Sequence, residues 1–75
     1  MQKLTNEQVQ ERAGKRGLAP VRVMDTDIIK IVSVDTAKAS KRFVEICWPE
    51  FFTLLGKKKL AVFDDAGYIV IRREQ

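Results

Sequence analysis

Two apolar runs, Leu60-Ala61-Val62-Phe63 and Tyr68-Ile69-Val70-Ile71, flank the segment Asp64-Asp65-Ala66-Gly67. β-branched and aromatic residues fit a pleated surface, while Asp and Gly supply the local hydrogen bonds and positive φ that reverse a chain. The segment predicts a β-hairpin with a four-residue turn. Ile69, Ile71 and Phe63 can face one way while Tyr68, Val70 and Val62 face the other, so both faces are apolar and both need a cover. The chain has 75 residues in which to provide one. At that size a domain buries only about 60% of its unfolded surface, and a single core is all that fits.

The cover comes from what precedes the hairpin. Over Trp48 to Gly56, Pro49 stands at the first helical position, Glu50 in the first turn and Gly56 at the stop, a pattern that predicts a short helix. Further upstream, Val21-Arg22-Val23-Met24 and Ile28-Ile29-Lys30-Ile31-Val32-Ser33-Val34 read as strands around Asp25-Thr26-Asp27. Residues 35 to 40 are small and polar and read as a loop before a third strand, Arg42 to Trp48. A helix capped by Asp35 is the competing reading, because Phe43, Cys47 and Phe51 also recur at helical spacing. At the N-terminus, Thr5 and Gln8 form a capping box and Leu4 can staple onto Val9, predicting a helix from Asn6 to about Lys15. Gly14 and Gly17 then offer stop points, and Pro20 closes that segment. The apolar face of this first helix is thin, Val9 and Ala13 only, so it is either docked on the surface or an arm.

These elements predict one α+β domain: an antiparallel sheet of four to five strands, one short helix packed on it and an N-terminal helix. Within residues 1–75, residues 1–20 form the helical arm and residues 21–75 the core. The thin N-terminal helix is a poor cover for the second hairpin face, which makes a homodimer or a partner chain a candidate for that role.

Chemistry is limited by what is missing. The chain has no His and one Cys, Cys47. Without imidazole the commonest general base and every Ser-His or Cys-His pair are gone, and a zinc ligand set cannot be assembled. Cys47 stands in an apolar run and reads as a buried, inert thiol. Asp64 and Asp65, like Asp25 and Asp27, are turn residues first and metal ligands only remotely. The four glycines match neither phosphate-binding loop spacing. We therefore expect no catalytic residues, no metal and no cofactor. No apolar run approaches the roughly twenty residues of a membrane span. With no leader-like start and a lone cysteine, a cytoplasmic setting is expected.

Lys and Arg total 14 against 10 Asp and Glu, a formal charge of +4. That excess favours polyanions, although solubility alone also accounts for it. Lys57, Lys58 and Lys59 precede the hairpin and Arg72 and Arg73 end it, so pairing would set them opposite one another as a phosphate-binding cluster. Lys41 and Arg42 extend the candidate nucleic-acid-binding set. Lysines at a sheet edge also serve simply to block aggregation. Most of the six aromatic residues belong to the core. Trp48 and Tyr68 carry polar tips and, with Val70, are the candidate partner-binding residues. The sequence thus points to a small regulatory protein that binds nucleic-acid phosphates. The alternative is an inhibitor or adaptor of the compact kind that phages and mobile elements encode, docking on a larger host complex through an apolar sheet face.

Overall fold

A computed structural model describes residues 1–74. Six strands and three helices follow in the order β1 (Gln2–Lys3), α1 (Asn6–Arg16), β2 (Leu18–Val23), β3 (Ile29–Ser33), α2 (Val34–Ala39), β4 (Phe43–Glu45), α3 (Trp48–Lys57), β5 (Leu60–Asp65) and β6 (Tyr68–Arg73). The α+β class expected from the sequence is what the chain adopts. The single sheet of four to five strands is not. Instead there are two antiparallel sheets of three strands, ordered β1-β5-β6 and β3-β2-β4.

Two short stretches account for the difference. Gln2 and Lys3 pair with Asp64 and Phe63, so the extreme N-terminus supplies a strand to the hairpin. Gly17, one of the two expected stops, caps α1 in the left-handed conformation with a φ of 65°, so the helix has already ended before Pro20, which lies inside β2 and does not close the segment. A proline in a central strand is tolerated only where no ladder donor is needed. That condition is met here: the Pro20 carbonyl accepts from the Ile46 amide (3.2 Å), so its ring nitrogen points to the same side, just past the last β2–β4 pair, Val21 with Glu45.

The region 34–47 resolves both competing readings in part. Residues 34–39 are helical, but the cap is Ser33, which accepts from the Thr36 amide at 3.1 Å, and not Asp35. A strand follows, shortened to Phe43–Glu45. Cys47 lies beyond it, exposed at the N-cap of α3, which corrects the expectation of a buried thiol.

The core is built around α3. Phe51 is fully buried and clusters with Leu55, with Leu4 and Val9 from the N-terminal segment, with Ile29 from β3 and with Val62 from β5. Both sheets therefore share one core. The capping box at Thr5 and Gln8 is present, with Thr5 Oγ1 and Gln8 Oε1 each accepting from the other residue's amide. Leu4 and Val9 are both buried, and α1 is docked rather than free. Its thin apolar face suffices because it adds only Val9 and Ala13 to a core supplied mainly by α3 and the strands. α2 packs on β2, β3 and β4, and Ala37 and Val21 are buried outside the main cluster.

Candidate nucleic-acid interface

The hairpin register decides which side chains share a surface. Asp65 pairs directly with Tyr68, leaving a two-residue turn, Ala66-Gly67, where four residues were expected. Both turn residues have positive φ, 52° and 88°, the conformation of a type I′ turn that follows the strand twist. The Gly67 amide donates to Asp64 Oδ1 at 2.9 Å, which holds the turn closed.

Directly opposed residues of an antiparallel pair lie on one face. Val62 opposes Ile71 and Asp64 opposes Ile69, so Leu60, Val62, Ile69 and Ile71 form the inner face against α3. Phe63 opposes Val70 on one side and Lys3 on the other, Ala61 opposes Arg72, and Asp65 opposes Tyr68. The outer face is thus Lys3, Ala61, Phe63, Asp65, Tyr68, Val70 and Arg72. Phe63 and Val62 have exchanged the faces expected of them, because directly opposed residues share a face and Val62 opposes Ile71 while Phe63 opposes Val70. The contacts that α1 and α3 make with this sheet come from the inner side, through Val62 and through the Arg12–Asp64 ion pair.

An aromatic and basic surface results. Tyr68 is 73% exposed and Phe63 and Val70 are half-buried. Phe63 and Tyr68 are diagonal neighbours across the pair, a separation of about 7–8 Å. At the end of the sheet where β6 finishes, Met1, Lys3, Phe63, Arg72, Arg73 and Glu74 line a shallow depression of about 600 Å³. Lys3 is paired with Glu74 there. Arg72 and Arg73 are exposed and form no ion pair among the described residues.

The three lysines before β5 are divided by the turn that leaves α3. Lys58 caps the helix and turns to Asp27 on the β2–β3 connection, Nζ to Oδ1 3.0 Å, which holds that carboxyl below its usual range. Lys59 has φ 56°, and its carbonyl accepts from the Glu74 amide, so it stands opposite Glu74 and not Arg72. Arg73 and Arg72 oppose Leu60 and Ala61 instead of Lys58 and Lys59. Lys59, Arg72 and Arg73 nevertheless share one end of the β1-β5-β6 sheet, and Lys57 ends the helix that leads into it. Asp64, on the inner face, is held below the usual carboxylate range chiefly by the hydrogen bond from Arg12.

Lys41 and Arg42 form the turn that leads into β4 of the other sheet. Arg42 lines a separate groove with Val23, Lys30, Ser40 and Phe43. Of the partner-binding candidates, Tyr68 and Val70 share the outer face, whereas Trp48 stacks on Phe52 (5.7 Å between centroids, 24° between planes) and meets Phe51 edge-on at 5.4 Å. The chain matches no protein-family model, no curated protein and no solved structure. Its surface chemistry is therefore the guide to function. Lys3 and Phe63 are the site residues that sequence reasoning missed: the strand that carries Lys3 is two residues long, too short for a periodic signal.

Proposed function

We propose that this protein is a small regulatory protein of the cytoplasm that binds single-stranded nucleic acid on the outer face of the β1-β5-β6 sheet. The observation that carries the reading is the register: it sets Phe63 and the exposed Tyr68 on the same open face as Arg72, with Lys59 and Arg73 at its end and Lys57 on the helix that leads into it. Aromatic rings accept unstacked bases whatever their sequence, and cations neutralise the phosphates beside them. An open sheet face suits a splayed single strand better than a duplex, whose bases are stacked out of reach. Lys41 and Arg42, with Lys30, offer a second basic contact at the other sheet. Binding requires no catalytic residue and no cofactor.

Fluorescence anisotropy with labelled twelve-nucleotide single strands and a matching duplex tests this, taking twelve as roughly the footprint range of one small domain. The single strand is expected to bind more tightly than the duplex at low salt. Replacing Tyr68 by Ala should weaken it by about 1–3 kcal/mol if the ring stacks on one base. No binding of either oligonucleotide at low salt ends the proposal.

A further inference from the structure

Among the described residues, the longest free strand edges border the same notch. β6, six residues long, is unpaired on the side away from β5, and β3, five residues long, is unpaired on the side away from β2. The other free edges belong to β1 and β4, of two and three residues. Ile29, Lys30, Ile31, Val32, Ile69 and Ile71 line an open notch of about 260 Å³ between β3 and β6. Hydrogen bonding in an antiparallel pair alternates, so the bonds on the page fix which backbone groups face it. The Val23 amide donates to the Ile28 carbonyl, and the Val34 amide donates to that of Gly17. In β3 the residues bonded to β2 are therefore Lys30 and Val32, and the amides and carbonyls of Ile29 and Ile31 point away from β2. Glu74 donates to the Lys59 carbonyl, so in β6 the residues bonded to β5 are Tyr68, Val70 and Arg72. The backbone groups of Ile69 and Ile71 likewise point outward. The four isoleucines that line the notch are the residues whose main-chain donors and acceptors lie on its two edges.

Two edges with this pattern ask for a ligand that offers donors and acceptors along its own length, which only an extended polypeptide does. We propose that the notch receives an extended segment of a partner protein, which pairs with β3, β6 or both by strand addition and so bridges the two sheets. Charge states its composition. Among the described residues Lys30 is the only ionic group lining the notch, and Arg72 and Arg73 continue the β6 edge, so the segment carries acidic side chains among β-branched ones. This gives the protein-docking role foreseen from the sequence a surface distinct from the aromatic outer face, and it stands or falls independently of nucleic-acid binding.

The test uses the full chain, isotopically labelled for NMR, and a set of four labelled octapeptides alternating Val or Ile with Glu or Thr. Binding is read by anisotropy and amide exchange. Peptide is expected to slow exchange at Ile29, Ile31, Ile69 or Ile71 by about tenfold or more, as new hydrogen bonds do, with the amides of Phe63 and Val70, which face each other across the β5–β6 ladder, changing far less. The same peptide methylated on alternate backbone nitrogens should lose binding when the bonding edge is the one blocked. The proposal is overturned by any of four results: no octapeptide protects these amides, the methylated peptides bind as well in both registers, protection maps to β1 or β4, or the four amides are already protected without peptide because β3 and β6 pair directly or a second copy fills the notch.

Discussion

Removing Arg72 and Arg73 together should change how binding depends on salt, by an amount the structure sets. Of the cations at the end of the β1-β5-β6 sheet and in the helix that leads into it, Lys3 is tied to Glu74, whereas Lys57, Lys59, Arg72 and Arg73 form no ion pair among the described residues. Lys58, tied to Asp27, is not counted. Each phosphate neutralised on a single strand contributes about −0.7 to the slope of log K against log salt, so four contacts give about −2.8. Raising salt from about 50 to about 200 mM then weakens binding roughly fiftyfold, since a fourfold change is raised to that power. With Arg72→Ala and Arg73→Ala the slope should fall to about −1.4 and the loss to about sevenfold. Both side chains are exposed, so the fold should persist and circular dichroism checks that it does. Anisotropy titrations at four salt concentrations measure the slope. Tyr68→Ala should lower affinity at every salt and leave the slope alone, because a ring carries no charge. A double variant that keeps the parent slope would refute the assignment of these arginines to phosphates.

Three further outcomes concern the scaffold. Phe51→Ala should cost about 3–5 kcal/mol, comparable with the whole stability of a domain this small, and leave no cooperative melt; a transition near the parent's would show that the core is not centred on Phe51. Ala66→Asn should recover about 1 kcal/mol of the 1–2 or so that a non-glycine residue loses at φ 52°, raising the midpoint by about 4–8 °C in calorimetry, and a lowered midpoint contradicts the turn geometry. Asp27 and Asp64 are held below their unfolded value near 3.8. A depressed carboxyl stabilises the fold above that value, and the contribution is lost as pH falls through the folded-state one. Asp64→Asn should therefore cost stability at pH 7 and progressively less as the solution is acidified below about pH 4, near the unfolded carboxyl value; a difference between variant and parent that stays constant over that range counts against the Arg12–Asp64 pair.

What was legible in the sequence was local. The capping box at Thr5 and Gln8, the Pro49 helix and the hairpin each declare themselves within a few residues, because caps and turns are short-range devices. The turn length was not legible, since nothing marks Ala66 as a residue that will adopt positive φ. Pro20 was misjudged because whether a strand tolerates proline depends on the neighbour it faces, and the end of β4 is more than twenty residues away in sequence. The three lysines diverge for a similar reason: adjacent in the chain, they leave a helix through a cap and a left-handed residue, and one finds Asp27 on the other sheet.

The turn sets which residues meet across the hairpin, and the core sets which face is buried. A four-residue loop over Asp64 to Gly67 would set Phe63 against Tyr68. The pairing of Asp65 with Tyr68 sets Phe63 against Val70 and Arg72 against Ala61 instead, a shift of two residues that changes the cross-strand partners and leaves every side chain on its face. Because side chains alternate with period two, a register slip of one residue exchanges the buried and exposed sets of a strand. Burial of Val62, at 2% exposure, against Phe51 is what opposes such a slip, since the alternative would seat Phe63 in the space of a valine and leave Val62 in water. The core thus holds the outer face in register: the same contact that buries Val62 keeps Phe63 outside, on the sheet surface that carries Tyr68 and Arg72.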